Sequence, residues 1–311
     1  MLKEQIRQIV AANPDYAAVT PVIEKEILHH DIMDVMIRQG AMQTLTFIGG
    51  TSLRMCYNSA RLSEDLDFNG GHDFKPAHFD GLELEIQKYI QNKYETEVWV
   101  NKPTENKQGN TSSWKISIVK EANRPDLPRQ KMHIDVCAIP SFDVEKRALL
   151  NHYNTVVPTE GILMPVQSLK EALADKLIAL AYRARRIKPR DVWDIVWIKQ
   201  RGIELSIALM DNKLDARGKR KEDFIEALNI QIEKLMQDDE VRADFNMEMS
   251  RFIPKQIKER TIDNPDYWAY VQSEVSAVSN VLIVGEAPKN RFDMGGLMTD
   301  FQESFNPQNE A

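Results

Sequence analysis

The chain has 311 residues, long for one compact domain and comfortable for two. Hydrophobic residues at 42% and charged residues at 28% fit a globular protein, and 14 Pro with 13 Gly exclude collagen-like and low-complexity classes. With 40 Lys and Arg against 47 Asp and Glu, the formal charge of −7 rules out a general cationic coat for nucleic acid but leaves room for a local basic patch.

The first forty residues predict helix, since Val22, Ile23, Ile27, Ile32, Val35 and Met36 recur at helical spacing. Leu45 to Ile48 then forms a short apolar run that stops at Gly49-Gly50, a strand entering a glycine turn. A helix is expected from Thr51 to Tyr57, with Thr51 or Ser52 as its N-cap. Asp65-Leu66-Asp67-Phe68 alternates polar and apolar, a strand with one wet face. Residues 76–93 predict helix, and β-like runs follow at Glu95–Val100, Trp114–Val119 and His133–Ile139, the first two joined by the turn-rich stretch Lys102–Thr111.

After about Pro165 the strand signal fades. Ser168–Arg186 predicts an amphipathic helix, Pro189 marks a break, Asp191–Gln200 restarts, and residues 217–248 and 266–284 are helix-like. The expected fold is α+β: a mixed sheet with flanking helices over residues 1–165, a C-terminal helical bundle over 166–285, and a loosely held tail over 286–311. Two cysteines, Cys56 and Cys137, build no disulfide framework and are expected as reduced core residues. The sequence shows neither a secretory signal nor an apolar run approaching the roughly 18 residues of a membrane span, so a cytoplasmic, membrane-free protein is expected. The six His are scattered and form no Cys/His metal motif.

Chemistry concentrates in Phe47-Ile48-Gly49-Gly50-Thr51-Ser52-Leu53 and Arg61-Leu62-Ser63-Glu64-Asp65-Leu66-Asp67-Phe68. Glycines after a strand admit backbone N–H groups to a phosphate, a helix N-terminus adds its dipole, and the hydroxyls of Thr51 and Ser52 add donors. Asp65 and Asp67, two apart, share a strand face and can hold hard cations such as Mg2+ beside a substrate phosphate. A third carboxylate, Asp135, lies mid-strand between Ile134 and Val136, costly there unless paired with an arginine or bound to a metal. We prefer the metal, which makes Asp65, Asp67 and Asp135 the candidate ligand set. His133 shares that face as a packed or supporting group, and Lys115 is a weaker candidate on the strand before.

In this order, Gly49-Gly50, Asp65-x-Asp67 and Asp135 resemble the polymerase-β-like nucleotidyltransferase superfamily. The extended pattern GGTSL…RLSEDLDF is closer to the AbiEii/AbiGii-type nucleotidyltransferase toxins, which include the mycobacterial MenT-type toxins. Ala174-Asp175-Lys176-Leu177 resembles that family's helix with an essential lysine, and Arg190-Asp191-Val192-Trp193-Asp194 resembles its R-D-x-x-D motif. The resemblance spans residues 47–194 and implies catalytic roles for Lys176, Asp191 and Asp194. It also implies nucleotide contacts from Gly49, Gly50, Thr51, Ser52, Ser63, Lys176 and Arg190. Growth arrest by modifying tRNA 3′ ends or other targets, and an antitoxin encoded nearby, follow from the same resemblance.

On physical grounds Lys176 suits a flexible triphosphate as a point charge, while Asp191 and Asp194 share a helix face or serve as first-turn acids. Asp194 can alternatively orient Lys176 or Arg190. Arg183, Arg185, Arg186, Lys188 and Arg190 form a basic cluster that either receives RNA phosphates or complements a helix C-terminus. The expected activity is transfer of a nucleoside monophosphate from a nucleoside triphosphate to an RNA acceptor by two Mg2+ ions. The alternatives are a small-molecule or protein acceptor, or an inactive nucleotide-binding module.

Overall fold

The structure is a computed structural model, and it describes residues 2–104, 109–120, 126–183 and 185–284. The tail expected from residue 286 lies outside these. Two N-terminal helices, α1 (Leu2–Ala12) and α2 (Thr20–Arg38), are separated by a 3-10 turn at Pro14–Val19. α2 buries polar groups as well as apolar ones, including Glu26, His29, His30, Asp31 and Asp34. Strand β1 (Thr46–Ile48) leads into α3 (Gly49–Tyr57), then β2 (Leu66–Asn69) and α4 (Leu82–Tyr94). β3 (Val98–Asn101), β4 (Thr111–Ile118), β5 (Gln130–Cys137), β6 (Val144–Ala148) and β7 (Leu163–Gln167) complete the strands among the described residues. Helices α5 (Leu169–Ala181), α6 (Pro189–Lys199), α7 (Ile207–Asp215), α8 (Lys221–Gln237), α9 (Asp239–Met249), α10 (Lys255–Arg260) and α11 (Tyr267–Val284) follow.

The strands form one mixed sheet in the order β3-β4-β5-β2-β1-β7-β6. β2 and β5 run parallel, as do β1 and β7, and the other neighbours are antiparallel. Period-2 alternation does the sorting: Phe47, Leu66, Phe68, Trp114, Ile116, Ile134 and Val136 enter the core, while Asp67, Lys115, His133 and Asp135 take the other face. One contiguous apolar core runs from Leu28 through these strands to Leu177, Ile195, Phe224, Phe245 and Val275 of the late helices. A smaller cluster joins Ile6, Ile9, Val19 and Ile23 to Leu62 and Phe252.

Strands β6 and β7 depart from the sequence expectation. β6 is an edge strand whose Glu145-Lys146-Arg147 stretch carries no apolar alternation. β7 contains Pro165, which looks like a breaker but lies opposite Lys146 on that edge partner. The boundary expected at residue 165 therefore falls inside β7. Helices α7 and α10 were also not expected. The predicted N-cap at Thr51 or Ser52 is replaced by Ile48, because the helix already starts at Gly49. Cys56 is buried as expected, but Cys137 is only half-buried and belongs to the carboxylate face.

Candidate active site

The register of the β2–β5 pair places Asp67 directly beside Asp135. Parallel neighbours stand about 4.8 Å apart and point the same way, so the two carboxylates are adjacent although 68 positions separate them. Asp65 immediately precedes β2 and lies next to them. Its carboxylate accepts a bond from the His133 backbone N–H at 3.0 Å, and the His133 ring Nδ1 stands 3.2 Å away.

This crowding has an electrostatic signature. Burial, reinforced by the Asp135 and Asp65 charges, pushes the Asp67 carboxyl up from 3.8 to about 6, against the pull of Lys176 and Lys188. Asp135 Oδ1 is buried and, among the described residues, has no hydrogen-bond partner. Among the described residues no three acid, His or Cys side chains already converge as a ready-made cation cluster. Asp65, Asp67 and Asp135 are nevertheless neighbours, and carboxylate oxygens are the donors that a hard divalent cation prefers. Cys137 ends the row. Burial raises its thiol pKa, as do Asp67 and Asp135, so it stands as a thiol and not a nucleophilic thiolate.

The glycines act by close approach. Gly49 has φ +77°, and a Cβ there would collide with the Asp67 carboxylate. A Cβ on Gly50 would run into the Arg61 guanidinium and come within 3.0 Å of Ser63 Oγ. Thr51 and Ser52 are buried and their hydroxyls are engaged. Thr51 donates to the Asp65 carbonyl, and Ser52 donates to the Gly49 carbonyl at 2.9 Å. Ser63 is also buried, its N–H donating to Glu26 at 3.2 Å. These residues therefore brace the loop carrying Asp65 from behind.

A buried ionic network lies close enough for the Lys176 charge to act on Asp67. Lys176 of α5 reaches Asp191 at 3.0 Å and Asp194 at 2.8 Å on α6. Arg61 binds Asp194 in a two-pronged pair, Nε at 2.9 Å and Nη2 at 2.8 Å. Burial alone would neutralise these groups. The cations Arg61 and Lys176 override it and hold Asp194 below the usual carboxylate range, while Lys176 and Arg183 do the same for Asp191. Burial also pulls the Lys176 pKa down, but Asp194 and Asp191 more than restore it, so its ammonium persists. Asp194 thus pairs with Lys176 and Arg61, not with Arg190.

The basic cluster is largely spent on the protein itself. Arg183 pairs with Asp191 at 2.8 Å, Arg186 with Asp244 and Glu248, and Arg190 with Glu248 at 3.1 Å while lying over Phe252. Lys188 differs. It precedes α6, is half-buried and is one of the two lysines whose field acts on Asp67. Burial and the nearby Arg190 and Arg183 lower its pKa. Sequence reading placed Lys188 only within a general basic run. Its offset, two before Arg190 and three before Asp191, was the available signal. Arg61 and Glu26 were likewise missed as site supports. Glu26 accepts from Arg54 Nε at 3.2 Å, from Ser63 N–H and from the Tyr153 hydroxyl, anchoring the 61–65 loop on α2.

Two solved structures are among those similar to this chain. JHP933 from Helicobacter pylori is 13% identical with a TM-score of 0.46, covering 90% of this chain and 97% of that one. MenT4, a nucleotidyltransferase toxin from Mycobacterium tuberculosis, is 16% identical with a TM-score of 0.45, covering 91% and 99%. No curated protein matches in sequence. Among the described residues no helix is long and apolar enough to cross a membrane. Residues 31–273 match the family described as "Nucleotidyl transferase AbiEii toxin, Type IV TA system", and the chain belongs to that family.

Proposed function

We propose that the chain transfers a nucleoside monophosphate from a nucleoside triphosphate to an RNA acceptor, foremost a tRNA 3′ end. The observation that carries this reading is the adjacent Asp67–Asp135 pair, with its unpartnered oxygen, facing the lysines 176 and 188. Asp65, Asp67 and Asp135 would hold Mg2+, two ions in the usual scheme, which when bound supplies charge neutralisation at the reacting phosphate. Lys176, fixed by Asp191 and Asp194, presents a permanent positive charge to the triphosphate. Lys188, at the start of α6, is a second lysine whose field acts on Asp67.

The reaction forms a bond from the acceptor hydroxyl oxygen to the α-phosphorus and breaks the bond to the bridging oxygen of the β-phosphate. Pyrophosphate leaves, and Asp135, beside its metal role, would also take the hydroxyl proton. The protein's task is positioning and charge, since no covalent intermediate is required. Family membership supports an antitoxin partner. A small-molecule or protein acceptor is the second reading. It is favoured by the neutralisation of Arg183, Arg186 and Arg190 by carboxylates.

Incubation with total tRNA, Mg2+ and each α-32P nucleoside triphosphate in turn tests the proposal, with Asp65→Ala as control. Label in a tRNA band for the wild type alone is expected. Label in no RNA, with label on a small molecule or protein, would overturn the acceptor assignment.

A further inference from the structure

The carboxylate face of the sheet does not stop at β5. Cross-strand register extends it over β4 to the edge strand β3 in three rows. Asp67, Asp135 and Ser113 form the first row. His133, Lys115 and Asn101 form the second, and Lys131, Ser117 and Trp99 the third. Alternation turns Val98, Val100, Trp114, Ile116 and Ile134 to the core, so the three rows share the outward side. From Ser113 to Ser117 the track runs about 13 Å along β4, and from β2 to β3 about 14 Å across.

Its chemistry is distinctive. Lys115, Lys131 and Arg129 are exposed, and among the described residues none has a carboxylate partner, unlike the arginines at 183, 186 and 190. Trp99 is 36% exposed, and the Arg129 guanidinium lies 4.1 Å from its ring centroid. Among the described residues, the acids this face carries from β2 to β3 are the three site carboxylates and, just before β3, the exposed Glu97.

We infer that this surface is the acceptor track: single-stranded RNA lies across β3–β5 with phosphates on Lys115, Lys131 and Arg129 and a base on Trp99, its 3′ hydroxyl reaching the Asp135 row. The inference rests on the RNA reading above. Phosphate–cation contacts hold a strand of any sequence, and an aromatic–arginine stack accepts any base. On a chain of net charge −7, three unpaired cations continuous with the carboxylates match a polyanion delivered to that site.

Fluorescence anisotropy with a labelled single-stranded RNA of about 12 nucleotides tests the track without any turnover. Trp99→Ala should weaken binding about fivefold or more. The pair Lys115→Glu and Lys131→Glu should weaken it more than tenfold, and flatten the log-affinity against log-salt slope by about 1.4. Arg185→Glu should leave both unchanged. Track variants that bind as wild type, or loss on Arg185→Glu instead, overturn the assignment. So does a wild type that binds no RNA. In that case Mg2+-dependent transfer of α-32P label from a nucleoside triphosphate to a small molecule or protein by the same sample reports separately whether the nucleotidyltransferase reading stands.

Discussion

Replacing Asp67 by Asn should stabilise the metal-free protein, although it removes a residue at the centre of the proposed site. The Asp67 carboxyl is raised from 3.8 to about 6 by burial and by Asp135 and Asp65. About two units at about 1.4 kcal/mol each put the cost of its charge near 3 kcal/mol, an upper bound because the side chain is only half-buried. A discounted 2 kcal/mol corresponds to a rise of about 4 °C in a chain of this size. The sign follows from linkage. The folded state binds the extra proton, so the penalty is full above about pH 6, shrinks as pH falls towards 3.8, and vanishes below it. Scanning calorimetry in EDTA at pH 8 and pH 4 measures both limits. With Mg2+ the order should invert, since the wild type gains a ligand that the amide binds poorly. A lower melting temperature for Asp67→Asn in EDTA at pH 8, or an equal gain from Mg2+ in both proteins, would refute the reasoning.

Four further outcomes follow from the geometry. Asp194→Asn strands the buried Arg61 and loosens Lys176, and should cost about 3–5 kcal/mol in urea unfolding along with activity. Gly49→Ala should abolish nucleotide transfer, because the new methyl meets Asp67 at a backbone of positive φ; an active variant would show that the turn relaxes freely. Lys188→Ala should raise KM for the triphosphate at least tenfold with little change in melting temperature, measured by steady-state kinetics. His30, whose pKa burial lowers from 6.5 to about 4, should cost the fold about 3 kcal/mol as pH drops through that window, because the unfolded chain takes the proton first. His30→Gln should flatten the acid limb of the stability curve.

Much of this site was legible because alternation and glycine placement act locally. Asp65-x-Asp67, Asp135 and the α5 lysine announced themselves by period and motif, and the mixed sheet with late helices followed from the same patterns. Pairing between distant segments was not legible. Nothing in the spacing tells that Asp67 sits beside Asp135 and not one register away, or that Arg61 reaches across 133 positions to Asp194. The basic run looked free because its partners, Asp244 and Glu248, come from α9. The strands β6 and β7 were hidden by charge and by Pro165, since an edge strand needs no apolar alternation to pair. Hydroxyls at Thr51 and Ser52 suggested outward donors, yet both are consumed inside the turn.

The distant pairing of Arg61 with Asp194 carries a consequence for biosynthesis. A nascent chain that has emerged only as far as β5 possesses all three carboxylates but neither Lys176 nor the acid that neutralises a fully buried guanidinium. Such a fragment bears an uncompensated charge where the finished protein has a bridge, so it neither settles nor acts. Premature stop codons anywhere before position 194 should therefore yield harmless products. For a protein of a toxin family, the chain order itself keeps the activity silent until α6 has been made.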